Sequence, residues 1–359
     1  MGSHLVDHLV EDRNCRVLVV DNLVAGRREF VHPKAEFYHH DITGLEEYLR
    51  KLFVQQKVRF VLNYAAHPYV PFSFERPLHV FDVNAAGAIK VINAAQEAGV
   101  EAILQVSSAE LYGGNEIGKD IPVENRSKER GEDSWYINEN HNVCPHSTYG
   151  VAKAAVDYYC QAAWRERKTP VITLRQFNCI GDRETHPYIV PEVIRQVSQF
   201  YPCCEGVRRV EGTCGDRTTL VGGMCPVHGS TTNSRTIKLG NNSFRDFLYA
   251  GDAVRIAVEL LERGEYGEVY NLGSETGIKM YDLARLIGKL MGFEDVKVEV
   301  DEARKRPWEI WSLLADTTKI RRTIRGDREG FWKSTPLEEA LKRTIAYYES
   351  NGRRWVWEK

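Results

Sequence analysis

The chain has 359 residues, 43% hydrophobic and 27% charged, enough to bury a full core without staples and to form two domains, or one large α/β domain with an appended lobe. This composition excludes disorder as the main theme. With 48 Lys and Arg against 50 Asp and Glu, the net charge of −2 excludes broad binding to a nucleic-acid backbone, which draws its affinity from excess cations.

In chain order, Ser3 to Glu11 places Leu5, Val6, Leu9 and Val10 on one helical face, with Ser3 able to cap it. Arg16-Val-Leu-Val-Val-Asp21 follows as a continuously apolar run ending in a carboxylate, which reads as a buried parallel strand before the loop Asn22 to Gly26. The same grammar returns at Val58 to Asn63, then through a helical stretch from Val80 to Ala98 into the strand Ala102 to Val106 and the pair Ser107-Ser108. Pro145 to Ala163 reads as a helix and Val171 to Phe177 as another buried strand. Strands alternating with helices predict a doubly wound parallel sheet of Rossmann type, with ligands gathered at the carboxyl ends of the strands. Beyond this point the periodicity loosens over about 200–236, and amphipathic helices are expected at 252–264, 281–292 and 337–350. The expected division is a dinucleotide-binding domain over 1–178 and a smaller substrate lobe over 179–359, with an insertion near 200–236 and some segments returning to the sheet. The mixed-sign run Glu124 to Asp133 is most simply a solvated loop.

No run reaches the roughly 18 apolar residues of a membrane helix, and no apolar core follows a basic N-terminal flank, so the expected compartment is the cytoplasm. Cys15, Cys144, Cys160 and Cys179 are scattered like the thiols of a reduced protein. Cys203, Cys204, Cys214 and Cys225, with His228 nearby, could hold a structural zinc. Their spacings of zero, nine and ten intervening residues do not make the usual paired knuckles, so unpaired thiols in a surface insertion are the simpler reading.

Tyr149 and Lys153 lie four apart and share a helical face. A phenol titrates near 10, and a neighbouring ammonium favours its phenolate, giving a base usable near neutrality. Such a pair also arises by chance in many helices. Its company sets it apart: Ser108 and Asp21 at strand ends, and Asn84 opening a helix. From Gly2-Ser-His-Leu-Val through Asp21-Asn-Leu, Tyr64-Ala-Ala, Asn84-Ala-Ala-Gly, Ser107-Ser-Ala-Glu-Leu-Tyr-Gly113, Tyr149-x3-Lys153, Arg175-Gln-Phe-Asn178, Arg245-Asp-Phe and Arg306-Pro, the chain resembles the extended short-chain dehydrogenase/reductases, in their nucleotide-sugar epimerase/dehydratase branch.

The resemblance implies NAD as cofactor and a nucleoside-diphosphate hexose, linked to UDP, GDP or dTDP, as substrate. It makes Tyr149 the base at a sugar hydroxyl, Lys153 the group that lowers the phenol pKa and holds the nicotinamide ribose, and Ser108 a hydrogen-bond partner of the same sugar oxygen. Gly2, Asp21, Asn22, Asp41, Ile42, Ala65, Ala66 and Asn84 match cofactor-binding positions. Asp21 suits a ribose diol and would repel a 2′-phosphate, which favours NAD over NADP, although Arg27 and Arg28 stand close enough to soften that preference. Asn178, Arg245 and Arg306 match positions that hold the sugar diphosphate, with surface ion pairs as the alternative for the two arginines. Glu110 stands where dehydratases carry the carboxylate that removes the C5 proton, with an exposed or salt-bridged carboxylate as the alternative, while Ala109 replaces an Asp that some of them use as acid and others lack. This favours a 4,6-dehydratase over a 4-epimerase. His186 and Tyr188 could shape the sugar pocket or a packed loop, and Trp308 and Trp311 could stack on the base or fill the core.

One departure is large. The first strand of the family and the Gly-x-x-Gly part of its phosphate loop have no counterpart here, and Gly2 matches the third glycine. A start placed late accounts for this most simply; a poor cofactor binder or a degenerate, non-catalytic binding homologue are the alternatives. Family members commonly pair through long helices, so a homodimer is expected from the resemblance.

Overall fold

The computed structural model describes residues 1–113, 136–200, 235–306, 308–325 and 334–351, with backbone alone at 224–225 and 229–230. The chain divides into two compact units: Met1–Cys179 with Ser243–Gly277 and Pro307–Thr335, and Ile180–Asn242 with Ile278–Arg306 and Pro336–Lys359. The predicted insertion cysteines Cys203, Cys204 and Cys214, the side chain of Cys225, and the run Glu124–Asp133 lie outside the described residues. Among the described residues, no cluster of His, Cys, Asp and Glu could hold a metal ion. None of their helices is long and apolar enough to cross a membrane.

In the first unit, α1 (Gly2–Asp7) leads to β1 (Leu18–Asp21) and β2 (Glu36–His39), which pair in parallel. Next come α2 (Glu46–Gln55), β3 (Phe60–Asn63), α3 (Val70–Glu75), α4 (Pro77–Phe81) and α5 (Ala88–Glu97). They are followed by β4 (Ala102–Ser108), β5 (Tyr136–Ile137), α6 (Thr148–Arg167) and β6 (Val171–Gln176). The segments that return to this unit add β7 (Phe244–Tyr249), α7 (Ala250–Arg263), β8 (Val269–Leu272), β9 (Ser312–Ala315) and α8 (Thr318–Arg325). A second parallel sheet runs β8-β6-β4-β3. Among the described residues no strand joins β1 to β3, which is where the sequence lacks the first strand of the expected fold.

The central strands read as unbroken apolar runs because both of their faces are covered. On one side Ile103 and Val171 pack with Leu49, Phe53, Ile92 and Val156 from α2, α5 and α6. On the other, Ala102, Leu104, Ile172 and Leu174 pack with Ile256, Leu260 and Ile320 from α7 and α8. This period-two division makes the unit a doubly wound α/β layer structure, and each fully buried Ile or Leu adds roughly 2 kcal/mol of burial.

Two expectations differ in detail. Helix α6 begins at Thr148 rather than Pro145, because the Ser147 hydroxyl accepts the Gly150 N–H at 3.0 Å and caps the first turn. The stretch expected as one helix from Val80 is α4, a wider turn over Asp82–Gly87, and α5 in succession. In the second unit, His186 and Tyr188 lie in a loop that leads into the helix Ile189–Ser198, with Pro191 tolerated in its first turn. That second unit otherwise holds helices Met280–Leu290 and Leu337–Ser350 and a parallel strand pair, Thr236–Leu239 with Lys297–Val300.

Candidate active site

Strand β4 ends at Ser108, where the chain turns through Ala109–Tyr112. The Ser108 hydroxyl accepts the Glu110 N–H at 3.2 Å and so caps this short turn. Two glycines let helix α6 and its leading loop approach the turn. A Cβ on Gly150 would stand 2.9 Å from the Glu110 carbonyl oxygen. Gly113 has φ +69°, and a Cβ there would lie 1.7 Å from the Cys144 carbonyl oxygen. Gly113→Ala is therefore expected to cost about 3 kcal/mol, through left-handed backbone strain and overlap, read as a lowered midpoint in urea unfolding.

The approach brings Tyr149 close enough to Ser108 for the serine hydroxyl to act on the phenol. Tyr149, Lys153 and Ser108 are all buried. Burial pushes the phenol up to about 12, against the nearby Ser108 hydroxyl, which favours its ionised form. The Lys153 ammonium donates to the Val106 carbonyl at 3.0 Å, while Ser107 donates to the Lys153 carbonyl at 3.4 Å, so the residue is tied to β4 at both ends. Burial brings its pKa down to about 8. Its ammonium group lies 5.9 Å from the Tyr149 ring centre. Glu110 is partly buried in the same turn, two residues from Ser108.

The expected lowering of the phenol by Lys153 is thus not what sets its pKa in the protein alone: desolvation dominates, and the ammonium nitrogen is spent first on a backbone carbonyl. An ammonium carries three donors, which leaves two of those on Lys153 to meet an oxygen-rich ligand.

The remaining sequence-predicted residues fall in several places. Asp21 ends β1, where one carboxylate oxygen accepts the Leu23 N–H at 2.6 Å; Gly26 folds over this carboxylate, and a Cβ there would sit 2.7 Å from it. The Asp41 carboxylate is committed to Thr43 and to the Asn22 amide at 2.8 Å, and this hydrogen bonding holds its pKa down despite burial. The side chain of Ile42 belongs to the core. Asn84 clasps the backbone of His67, accepting its N–H at 2.6 Å and donating to its carbonyl at 3.0 Å, so it shapes the loop that carries Ala65 and Ala66. Arg28 lies over the Phe37 ring, 4.8 Å from its centre. Arg245 is buried and donates to Glu309 at 3.1 Å. Arg306, His186 and Tyr188 belong to the second unit. Trp308 and Trp311 are 69% and 51% exposed, which removes the reading that they fill the core.

Sequence reasoning singles out only one of four polar groups near these strand ends. The Tyr64 hydroxyl and His67 Nδ1 after β3, Gln176 Oε1 at the end of β6 and Asn178 Oδ1 just beyond it are buried atoms with no hydrogen-bond partner among the described residues. That one is Asn178; the signal for the others is a polar side chain at the end of an apolar strand or within four residues after it. Such atoms are costly unless a ligand or water meets them. Together with Asp21 and the unfilled donors of Lys153, and with Gly2 opening α1 where a Cβ would meet nothing within 4 Å, they fit a dinucleotide laid across the strand ends.

A family model described as the NAD dependent epimerase/dehydratase family matches residues 1–273. Among curated proteins, the dTDP-D-glucose 4,6-dehydratase of Mus musculus is 26% identical over 99% of this chain and 87% of its own length. The UDP-glucose 4-epimerase of Streptococcus mutans is 28% identical over 99% and 93%. Among solved structures, a UDP-glucose 4-epimerase with UDP-glucose from Thermotoga maritima matches with TM-score 0.75 and 23% identity, covering 98% of this chain and 96% of that one. A dTDP-glucose 4,6-dehydratase from Streptomyces venezuelae, solved with NAD bound, matches with TM-score 0.74 and 21% identity over 98% and 94%. The two activities are represented at nearly equal similarity.

Proposed function

Because the chain belongs to the NAD-dependent epimerase/dehydratase family, we propose that it acts on a nucleoside-diphosphate hexose through transient oxidation at C4, with 4,6-dehydration as the outcome. The observation that carries this reading is the set at the end of β4, where Ser108 and Glu110 share the turn after the strand and α6 brings the buried Tyr149 and Lys153 up to it. NAD, when bound, supplies the acceptor for the hydride that leaves the sugar carbon and later returns it. Tyr149 removes the hydroxyl proton at its phenol oxygen, and Ser108 holds that oxygen in line. Lys153 holds ribose hydroxyls with its unfilled donors, and its positive charge favours the phenolate. Asp21 holds the other ribose, Asn22 and Asp41 brace that end, and Ile42, Ala65 and Ala66 line it, Asn84 setting the loop. Glu110 then takes the C5 proton, acidified by the neighbouring ketone, and the C6 hydroxyl leaves as water with that proton. Asn178 and Arg245 take the diphosphate, for which a guanidinium fork is suited.

The alternative is a 4-epimerase, and one observation favours it. Ala109, in the place of the acid some dehydratases use, is a fully buried methyl group. Incubating the full chain with NAD and UDP-, dTDP- and GDP-hexoses decides among the readings by product NMR. A new C6 methyl with a C4 ketone supports dehydration; an inverted C4 centre supports epimerisation. No consumption of any of these sugars would sink both and leave a binding protein.

We also propose a homodimer. On α6, Val151 and Tyr158 lie seven residues apart on one face, and Tyr158 is 55% exposed; on the adjoining α4, Leu78 is 79% and Phe81 37% exposed. These apolar side chains form a stripe suited to the same stripe of a second copy. Leu78→Asp with Tyr158→Asp is expected to halve the mass measured by light scattering. A wild-type chain that already runs as a monomer would contradict the pairing.

A further inference from the structure

The residues that would handle protons sit on two separate elements. Glu110 is on the turn after β4, whereas Tyr149 and Lys153 are on α6. Beneath them lies a buried polar chain that touches both. The Arg175 guanidinium, on β6, donates to both oxygens of Asp157 at 2.8 and 2.9 Å, and to the Tyr112 hydroxyl at 2.8 Å. Asp157 is one helical turn beyond Lys153 and two beyond Tyr149, on the same face of α6. Tyr112 closes the turn that carries Glu110. Its hydroxyl passes on to Asn271 Oδ1 at 2.7 Å on β8, and Asn271 in turn donates to the Ile137 carbonyl at 2.8 Å and, through its backbone N–H, to Glu139 at 2.7 Å. The sheet register places Arg175 beside Ser107, so one planar fork at the strand next to Ser108 binds the helix with one edge and the turn with the other.

Tyr112, Asp157, Arg175 and Asn271 are all buried. An apolar set of similar volume would fill this space at no loss of stability, because buried ion pairs seldom repay their desolvation. What an apolar set lacks is direction. A bidentate guanidinium fixes distance and angle between the groups it joins, and small displacements of reacting groups are costly in rate.

We propose that Tyr112, Asp157 and Arg175 are positioning residues: the Arg175 fork sets the separation between the Glu110 turn and the Tyr149–Lys153 face of α6, and so aligns the two proton-handling groups. The proposal rests on the functional reading above, and its test keeps the two apart. Tyr112→Phe removes one hydroxyl from the turn side, and Asp157→Asn weakens the helix side. Turnover is measured per dinucleotide-binding site, with site number and dinucleotide affinity taken from calorimetry without sugar. For Tyr112→Phe, the expected result is a kcat per site lower by about ten- to a hundredfold, with KM and NAD affinity changed less than about twofold. For Asp157→Asn, NAD affinity is expected to weaken by about fivefold as Lys153 shifts. A role confined to stability would lower the thermal midpoint and the number of active sites, and leave kcat per site and NAD affinity as in the wild type; that result overturns the proposal. Should Tyr112→Phe fail to fold, Asn271→Ser removes its acceptor while keeping phenol and guanidinium, and carries the same expectation. A wild type that binds NAD but turns over no nucleotide sugar would sink the functional reading, and the affinity of Asp157→Asn would still decide the positioning.

Discussion

Tyr149→Phe is expected to lower kcat by about 10²–10⁴-fold, the usual worth of a positioned proton-transfer group, while leaving KM and NAD affinity near wild type. The substitution removes one oxygen from a buried ring and keeps its packing, so the fold should survive with a stability change of about 1 kcal/mol. The remaining activity reports what Ser108 and Lys153 do without a base. The pH profile adds a second check. Burial has lowered Lys153 to about 8, so its ammonium is present below that pH and is lost above it. If that charge is what favours the phenolate, kcat falls as pH rises through about 8. Stability moves the other way: Lys153 binds fewer protons in the folded chain than in the unfolded one between about 8 and its ordinary 10.5, so its contribution to stability grows as pH rises through that window. Comparing wild type with Lys153→Met in urea unfolding at several pH values isolates this share. A rate that stays level through pH 8 while stability rises would remove Lys153 from the proton chemistry and leave it a purely structural amine.

Glu110→Gln carries the next largest effect, and it separates the two reactions. Gln has the shape of Glu, and the turn is held through the Glu110 backbone N–H, not its side chain, so local structure should be kept. If the carboxylate removes the C5 proton, dehydration falls by about 10²–10⁴-fold. Product NMR in deuterated water then shows neither the C6 methyl nor exchange at C5. If the enzyme is an epimerase, C4 inversion continues within about threefold of wild type, because that path asks for no second base. A Glu110→Gln variant that still makes the 4-keto-6-deoxy product at the wild-type rate would move the C5 base elsewhere.

Much of this site was legible before the fold was seen, for local reasons. The runs ending in Asp21 and Asn63, and those over Ala102–Val106 and Val171–Phe177, could be placed as parallel strands because their apolar residues are continuous; strands do end at Asp21 and Asn63, and the other two run to Ser108 and Gln176. Tyr149 and Lys153 share a face because a helix repeats every 3.6 residues. The helix Leu337–Ser350 was placed to the residue by its amphipathic period. Strand β2 and helix α2 were passed over, although Leu49, Leu52 and Phe53 carry a helical stripe behind the acidic first turn Glu46-Glu47.

The order of chemistry along the chain, a strand-end serine and then a tyrosine and lysine one helical turn apart, was determined by the amino-acid sequence itself, since local periodicity is a property of neighbouring residues. Tertiary structure alone decided how those groups are charged and held. Arg175 and Asp157 stand 18 residues apart on successive elements, and they meet because β6 packs against α6. The phenol rises to about 12 and the lysine falls to about 8 because both are desolvated. Pairing across the core and loss of water depend on what the rest of the chain packs around a residue, and no spacing of letters encodes that distance.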